Sequence, residues 1–545
     1  MKKSKIFQLL LLCSVSSTLF AAELYQMPRK KIIELSWSMP TSDRLVKNPD
    51  LYDNSPLDGI SVILHEPRFK VRDDTLFSAR KWQYEWLKPA IGDLKKIKFK
   101  NLTDNFLYAG IQPGDVDWFN DEHWAGVCNN IGLLARAAKE IGFKGILLDL
   151  EEYKTKLWQN TAVPGKSRAE INAKVRQRGR EYGNAIFKEY PDINIIAIWW
   201  LSLVRNYRSD PAGAQSLLGP FINGIYDVIT PAAVIHEGQE KDGYLAKNED
   251  DFKHLRLDFE YVFPHFLAPE NINKFKLQTR LAAPIYMDAI VRGESFWWGK
   301  CLYPELGKMG ALNFYARNLA YAMQYSDEYV WLYSERVAWW KVDYRPDNPP
   351  ELEKVYPGIN EITRNAADPL KLARIMRKKN PAKSVVRNGD FQQANDGKNI
   401  PHWWFYHDDP ASSKAFLKSR KDGLLIGNMI QGDCIVQQVK VAPEREYIFK
   451  IRGKIAAGKE SNPVVRIGGT WQSADGNYPL GFHRQVMIFI DKFAADGSFE
   501  YEQLISSPHN AGTMQLTVGF YHPKKEQSLL IEKIEMLPVL YKSGK

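Results

Sequence analysis

The chain has 545 residues, which is more than one hydrophobic core normally supports, so at least two domains are expected. Hydrophobic residues make up 44% and charged residues 25%, the proportions of an ordinary globular protein rather than of a disordered or fibrous chain. The formal net charge of +10 is compatible with an anionic polysaccharide partner, but no Lys- or Arg-rich helix or arm indicates nucleic acid.

The first 22 residues have the pattern of an export signal. Three lysines within the first five residues precede a short apolar run over residues 6–12, and small residues follow. This pattern predicts a signal peptide over residues 1–22 and a periplasmic or extracellular protein. No other segment is long and apolar enough to cross a bilayer. The three remaining cysteines, Cys128, Cys301 and Cys434, are too widely spaced for a disulfide framework or a zinc cluster.

Residues 23–345 alternate between strand-length apolar runs and helix-length amphipathic stretches. Eight strands are predicted, at 31–38, 58–65, 106–112, 145–151, 194–201, 226–232, 281–288 and 329–335. Strands that alternate with helices indicate a parallel sheet, and eight such units predict a closed (β/α)8 barrel. The alternative is an open doubly wound sheet. It would need a Gly-rich phosphate loop after the first strand, and residues 36–40 do not form one.

The pattern changes after the barrel. Residues 346–383 combine a Pro- and Asn-rich turn region with one short helix, and we interpret them as a connector. From residue 384 to 540 the chain alternates with period two in short runs, including 434–441, 447–454, 514–521 and 529–537. Many short strands separated by turns predict an all-β jelly-roll sandwich.

The fourth predicted strand runs directly into acidic residues. The active site of a (β/α)8 barrel lies at the carboxyl ends of its strands. Asp149 and Glu151 share one face of this strand, with Cα atoms about 6–7 Å apart, whereas Glu152 faces away. Mutual repulsion and burial raise the pKa of one member of such a pair, and a protonated acid cleaves glycosidic bonds by protonating the leaving oxygen. The alternative is that these acids stabilise a helix N-terminus.

The segment Gly145–Ile146–x–x–Asp149–x–Glu151 resembles the end of the fourth-strand motif of the chitinase-like glycoside hydrolases of family 18. The resemblance implies that Glu151 is the general acid and that Asp149 orients an acetamido group of the substrate. Two earlier acids of the family's motif are replaced here by Lys144 and Leu147. The resemblance therefore implies a hydrolase of this broad kind and leaves substrate-assisted chemistry open.

Two further acids are candidates for the nucleophile or the water-activating base. Glu335 ends the eighth predicted strand and Asp288 ends the seventh. A carboxyl separation of about 5–5.5 Å from Glu151 would predict retention, and about 6.5–9.5 Å would predict inversion. The alternatives are an ion pair between Glu335 and Arg336, and a helix cap at Asp288.

Aromatic and polar residues at strand ends are the predicted substrate contacts. Only one of Trp199 and Trp200 can face the barrel mouth, because side chains alternate along a strand. Loop tryptophans are the better stacking candidates, since they have no core to fill. The predicted substrate-binding residues are Trp37, His65, Gln112, Trp200, Tyr286, Trp297, Trp298 and Tyr333.

The C-terminal region has its own aromatic candidates. The sequence from Asn388 to Phe391, the pair Trp403–Trp404 and the alternating run at 435–439 resemble carbohydrate-binding jelly rolls of bacterial polysaccharide hydrolases. The resemblance implies that Trp403, Trp404 and Trp471 stack on sugar. The alternative is a sandwich that only braces the barrel.

Together these features predict an exported glycoside hydrolase that acts on a poly- or oligosaccharide and needs no cofactor or metal. Metal-site, serine-hydrolase and nucleotide-loop motifs are missing from the sequence. Two alternatives stay open. One is a non-catalytic carbohydrate-binding protein, and the other is a metal-dependent polysaccharide-modifying enzyme such as a lyase or deacetylase.

Overall fold

The computed structural model describes residues 29–153, 155–159, 163–209, 216–292, 310–393, 400–474 and 485–541. The predicted signal peptide and the predicted sugar-stacking residues Trp297 and Trp298 lie outside the described residues. None of the described helices is long and apolar enough to span a membrane.

The N-terminal region is built on a curled parallel sheet of nine strands. They are β1 Lys31–Ser36, β2 Gly59–Val62, β3 Phe106–Gly110, β4 Gly145–Asp149, β5 Asn194–Ala197, β6 Val234–Glu237, β7 Thr279–Leu281, β8 Pro284–Tyr286 and β9 Tyr329–Ser334. Their order across the sheet is β7-β6-β5-β4-β3-β2-β1-β9-β8. The strand β4 is buried on both faces, as expected for a parallel strand covered by helices.

The two ends of this sheet belong to one chain segment. Only Ala282 and Ala283 separate β7 from β8. The Ala282 N–H donates to the carbonyl of Glu237 in β6 at 2.9 Å, and the Trp331 N–H of β9 donates to the carbonyl of Ala283 at 3.2 Å. The segment therefore pairs with β6 on one side and with β9 on the other.

Helices follow most strands and cover the sheet. The α-helices before the second domain are α1 Ser42–Lys47, α2 Pro49–Asp53, α3 Tyr84–Leu94, α4 Asp121–Ile141, α5 Arg168–Glu189, α6 Leu201–Ser209, α7 Leu218–Val228, α8 Glu240–Leu245, α9 Glu249–Leu257, α10 Pro269–Gln278, α11 Met287–Arg292, α12 Ala311–Tyr325, α13 Leu352–Val355, α14 Ile359–Asn365 and α15 Pro369–Lys379. The helix α5 starts at a capping box, in which Ser167 and Glu170 satisfy each other's backbone N–H groups.

One predicted strand is wrong and another ends early. Residues 226–228 of the predicted sixth strand belong to α7, and the sixth strand is instead Val234–Glu237. The reason is that the apolar run at 218–228 buries Phe221, Ile222, Ile225 and Tyr226 at helical spacing. The predicted seventh strand is divided into β7 and β8, and the helix α11 begins at Met287.

The C-terminal region contains two five-stranded antiparallel sheets, which confirms the predicted all-β class. Their orders are β10-β13-β18-β15-β16 and β11-β12-β19-β14-β17. The strands are β10 Trp404–Tyr406, β11 Phe416–Arg420, β12 Gly423–Gly427, β13 Cys434–Lys440, β14 Glu446–Ala457, β15 Val465–Ser473, β16 Gln485–Ile490, β17 Ser498–Ser506, β18 Ala511–Phe520 and β19 Ser528–Pro538. The two sheets enclose a separate hydrophobic core.

A buried polar cluster joins the two regions. Arg317 of α12 donates to Glu444 at 2.8 Å, and both side chains are almost inaccessible to solvent. The hydroxyl of Tyr541 donates to Glu446, whose carboxyl group is also buried. The predicted connector, residues 346–383, holds α13–α15, which pack on the first core through residues such as Leu352 and Leu372. We call Arg317, Glu444 and Glu446 the interface cluster.

Candidate active site

The centre of the site is Asp149, the last residue of β4. Asp149 is in register with Gly110 of β3, so its side chain lies on the same face as that of Tyr108. The Tyr108 hydroxyl donates to Asp149 Oδ2 at 2.8 Å, and the Tyr153 hydroxyl lies 3.3 Å from the same oxygen. The backbone N–H of Glu151 donates to Oδ1 at 2.9 Å. Both carboxylate oxygens of this buried residue therefore have donors.

Glu151 is brought to Asp149 by a shared hydroxyl group. Tyr153 donates to Glu151 Oε2 as well as contacting Asp149 Oδ2. Two oxygens that both lie within bonding distance of one hydroxyl are separated by about 6 Å at most. The two acids that the sequence analysis placed on one face are therefore neighbours in the structure.

The electrostatic setting differs between these two acids. Burial raises the pKa of Asp149, and the three donors described above lower it. Burial, and then the charge of Asp149, raise the pKa of Glu151 to about 7. A carboxyl group with that pKa holds a proton at mildly acidic pH and exchanges it near neutrality.

A third acid, Glu240, faces this pair and was missed by the sequence analysis. It is the first residue of α8, directly after β6. Burial, and then the charges of Glu151 and Asp149, raise the pKa of Glu240 well above its usual range. The indole of Trp199 lies beside both Glu151 and Glu240 and lowers the pKa of each. We call Asp149, Glu151 and Glu240 the acidic cup.

The misplaced sixth strand explains the omission of Glu240. With that strand assigned to 226–232, the acids that follow Val234–Glu237 stand beyond the predicted strand end. The available signal was the short apolar–polar run at 234–237 followed by Glu240, which has the same strand-then-acid form as β4.

Three tyrosines form one wall of the cup. The ring of Tyr244 stacks on that of Tyr333 at 5.5 Å with an interplanar angle of 11°. Tyr286 lies 4.7 Å from Tyr244 and 5.1 Å from Tyr333 between ring centroids. The predicted substrate contacts Tyr286 and Tyr333 therefore meet beside the acids. Trp37 stands at the rim with 54% of its surface exposed and lies beside the Tyr333 hydroxyl.

The two predicted second carboxylates occupy different settings. Glu335 is half-buried at the end of β9, and the Tyr333 hydroxyl donates to its Oε1 at 3.3 Å. Asp288 is fully buried in the first turn of α11, and it accepts from the backbone N–H groups of Glu335 at 2.7 Å and Arg336 at 2.9 Å. The Asp288 carboxylate therefore anchors the backbone that carries Glu335, which favours a positioning role over that of nucleophile or base.

Other predicted contacts lie away from the cup. Trp200 is 1% exposed and donates to the Tyr226 hydroxyl at 3.1 Å, so the prediction that it binds substrate is wrong. Its neighbour Trp199 faces the acids instead. His65 lies 2.9 Å from Asp43, and Gln112 is half-buried after β3. No contact among the described residues joins either of them to the three acids.

A cavity of about 810 Å³ lies beside the site, between the loops that follow β3 and β4. Its lining includes Asp115, Asp117, His123, Thr155 and Gln159. These loops extend from the same strand ends that carry Tyr108 and Asp149. Within the described residues, no group of three or more His, Cys, Asp or Glu side chains is arranged to hold a metal ion.

The predicted sugar contacts of the sandwich separate into buried and exposed residues. Trp403 is 7% exposed and donates to the carbonyls of Arg387 and Asn388, and Trp471 is 3% exposed. Their prediction as stacking platforms is wrong, because both fill the sandwich core. Trp404 of β10 is 45% exposed and is the one predicted tryptophan of the sandwich that lies on the surface.

Trp404 stands at the edge of a row that crosses one sheet. The strand registers align Trp404 with Val436, Val436 with Thr517, Thr517 with Gly468, and Gly468 with Met487. Aligned residues point to the same face of a sheet. Large exposed side chains therefore stand at both edges, with Tyr406 beside Trp404 and Phe489 beside Met487, and small ones lie between them. We call this row the sandwich trough.

Comparisons with known proteins give limited matches. No family model matches the chain, and no curated protein matches it. Among solved structures, a family 4 carbohydrate-binding module is 14% identical over 28% of this chain and 99% of its own, with a TM-score of 0.22. Xylanase 10C from Cellvibrio japonicus is 12% identical over 26% of this chain and 28% of its own, with a TM-score of 0.20. The bacteriophage CBA120 tailspike protein 4 is 13% identical over 28% of this chain and 21% of its own, with a TM-score of 0.22. The chain thus has weak structural similarity to carbohydrate-binding modules and to glycoside hydrolase structures.

Proposed function

We propose that this chain is a glycoside hydrolase that cleaves a poly- or oligosaccharide, with Glu151 as the general acid. The observation that carries the proposal is the Glu151 carboxyl group, whose pKa is raised to about 7 beside Asp149 at the carboxyl end of β4. A carboxyl group with this pKa can give its proton to the glycosidic oxygen as the bond breaks.

The fold proposed with it is a closed (β/α)8 barrel followed by a jelly roll. The support for closure is that the segment from β7 to β8 pairs with both β6 and β9. The carboxyl ends of the strands would then form one mouth, which is where barrel enzymes hold their active sites. We further propose that the protein is exported, in keeping with its N-terminal sequence pattern.

Asp149 and Glu335 would have distinct roles in this reaction. Asp149 has donors on both oxygens, so it ionises before Glu151 and its charge faces the positive charge that develops on the sugar. Glu335, half-buried at the rim, would supply the second carboxylate that attacks the anomeric carbon or activates water. The half-buried Tyr333 would pack against the sugar ring, and the buried Tyr286 would support the Tyr333 ring from behind.

A sugar-binding role for the sandwich is supported by the sandwich trough. Exposed Trp404 and Tyr406 at one edge offer flat apolar faces, and Gln438 and Thr513, which bond to each other, lie on the same sheet. Aromatic faces with nearby amide and hydroxyl groups are what a sugar chain requires of a binding surface.

The proposed function is tested by Glu151→Gln with Glu152→Gln as its matched control. Glu152 is adjacent and half-buried, but it accepts from the Trp158 N–H and the Gln159 amide outside the cup. The full-length protein and both variants are assayed for reducing-end release on plant, marine and host glycans.

We expect Glu151→Gln to abolish turnover while glycan binding persists, and Glu152→Gln to keep activity. Binding without turnover in the unmodified protein would favour a carbohydrate-binding protein. Turnover that is lost with a chelator and restored by a divalent cation would favour a metal-dependent enzyme. Equal activity in Glu151→Gln and the unmodified protein would refute the proposed acid.

A further inference from the structure

Among the described residues of the acidic cup, Glu240 is the one with a solvent-inaccessible carboxyl oxygen that accepts no hydrogen bond. Its Oε2 is inaccessible to solvent and accepts no hydrogen bond from the described residues. By contrast, Asp149 has donors on both oxygens, and the buried carboxyl group of Glu237 accepts from Leu201 N at 2.7 Å, Ser202 Oγ at 2.6 Å and Gln239 N at 3.2 Å. Glu240 is therefore built differently from the other buried acids around β4 and β6.

The groups that face Glu240 give its negative charge little support. The Tyr244 hydroxyl of its own helix and the Trp199 indole at the end of β5 lie beside the carboxyl group. The strongest charges that act on it are those of Glu151 and Asp149 from β4, and both are negative. A buried carboxylate with one bare oxygen and two anionic neighbours is costly, so such a group keeps its proton.

The indole N–H of Trp199 is a second buried group whose hydrogen bonding is incomplete. It lies close enough to the carboxyl groups of Glu151 and Glu240 to lower the pKa of each. Its Nε1 atom is nevertheless inaccessible to solvent and makes no hydrogen bond of normal geometry among the described residues. The two groups belong to consecutive strand–helix units and both border Glu151. Two buried polar atoms without partners that lie side by side at a site are candidates for hydrogen bonds to a bound ligand.

We propose that Glu240 is held as an uncharged carboxylic acid and, together with the Trp199 N–H, donates a hydrogen bond to an oxygen atom of the bound sugar. Glu240 is then a substrate-binding group rather than the nucleophile or the base. Its raised pKa supports this assignment. The ligand group is a hydroxyl, ring or carbonyl oxygen of the sugar bound next to Glu151. The assignment of the ligand rests on the proposed function, whereas the uncharged state of Glu240 does not.

The first test needs no substrate. Infrared spectra of the full-length protein at pH 7 are compared with those of Glu240→Gln and of the control Glu152→Gln. We expect the Glu240→Gln difference spectrum to lose a protonated carboxyl band that the Glu152→Gln spectrum keeps. Loss of carboxylate bands in Glu240→Gln would overturn the proposal. Glu240→Ala provides the same comparison if the glutamine variant does not fold.

The second test uses the glycan that the unmodified protein hydrolyses. Glutamine keeps an uncharged hydrogen-bonding group at position 240, whereas alanine removes it. We expect Glu240→Gln to stay within about tenfold of normal kcat/KM and Glu240→Ala to lose about a hundredfold. A nucleophile or base would instead lose nearly all activity in Glu240→Gln, and that result would overturn the assignment. Should the unmodified protein hydrolyse no glycan, the proposed function fails while the infrared result still decides the charge of Glu240.

Discussion

The acidic cup and the interface cluster both bury carboxyl groups, but only one of them includes a cation. Burial raises the pKa of Glu444 and Glu446 at the interface, and the positive charge of Arg317 on α12 opposes that rise. Burial also raises the pKa of Glu151 and Glu240 in the cup, where the strongest charges come from other acids and add to the rise. The carboxyl group of Glu444 therefore has a cationic partner across the interface, whereas Glu151 and Glu240 have anionic neighbours that favour their protonated forms. We therefore interpret the interface cluster as structural and the acidic cup as the candidate active site.

After the loss of turnover expected for Glu151→Gln, the largest expected effect is the loss of activity in Asp149→Asn. Asparagine removes the charge that raises the pKa of Glu151 and faces the developing positive charge. We expect kcat/KM to fall by about 10²–10⁴-fold. Because the negative charge of Asp149 raises the pKa of Glu151, its removal lowers that pKa, and the alkaline limb of the pH profile moves to lower pH.

The measurement is a pH profile of kcat/KM for the unmodified protein, Asp149→Asn and the control Asp192→Asn. Asp192 is exposed in the loop before β5, at the opposite end of the strands. An unchanged alkaline limb in Asp149→Asn would show that the two acids are not coupled.

The cation of the interface cluster predicts the next largest effect. Arg317→Ala leaves Glu444 buried without the arginine that it bonds to and removes the stronger of the two arginine charges on Glu446, so we expect a loss of about 3–5 kcal/mol of stability. The control is Arg374→Ala, which breaks an exposed ion pair with Glu502 that also joins α15 to the sandwich. The control should cost about 1 kcal/mol or less. The urea midpoints of Arg317→Ala and Arg374→Ala measure the two losses of stability. Equal midpoints would show that the buried Arg317 contributes no more to stability than an exposed ion pair does, which would contradict its proposed role in the interface cluster.

Much of the fold could be predicted from the sequence, because parallel strands buried on both faces are plain apolar runs. The run 145–148 ends at Asp149 and was assigned correctly for that reason. The run at 218–228 is equally apolar, and only its length and spacing mark it as the helix α7. Because the end of this helix was predicted as a strand, the sixth strand was placed too early in the sequence and Glu240 was not recognised as an acid at a strand end.

Individual side chains were harder to predict than strands. Alternation along a strand cannot locate Trp199 and Trp200, because β5 ends at Ala197 and the chain turns before both of them. Trp403 belongs to a tryptophan pair that resembles a sugar-binding pair, yet the backbone carbonyls of Arg387 and Asn388 accept its N–H and fix it in the core. Contacts of this kind come from distant parts of the chain and leave no local pattern.

A smaller effect is expected on the pH dependence of stability in Glu151→Gln. Below the unfolded pKa of 4.5, Glu151 is protonated in both the folded and the unfolded chain and its ionisation has no effect. As the pH rises from 4.5 to about 7, the unfolded chain releases this proton while the folded protein retains it, so stability is lost. The variant escapes this loss, and we expect it to gain about 1–3 kcal/mol over the unmodified protein between pH 4.5 and pH 8. Urea midpoints across this range, with Glu152→Gln as the control, would contradict the acidic cup if the two variants followed the same curve.

The smallest effect is expected at the sandwich trough, where no charge is involved. Trp404→Ala removes an exposed aromatic face, and an exposed stacking contact contributes about 1 kcal/mol, so glycan affinity should fall about fivefold. The control is Phe416→Ala, because Phe416 is equally exposed at 43% but belongs to β11 of the other sheet. Calorimetric titration of the catalytically inactive Glu151→Gln protein measures binding without turnover. The proposed function places the same glycan at the acidic cup as well, so two binding events are expected. Loss of only one of them in Trp404→Ala would assign the trough as a second, independent sugar site. Equal glycan affinities in the two alanine variants would show that Trp404 makes no contact with bound sugar.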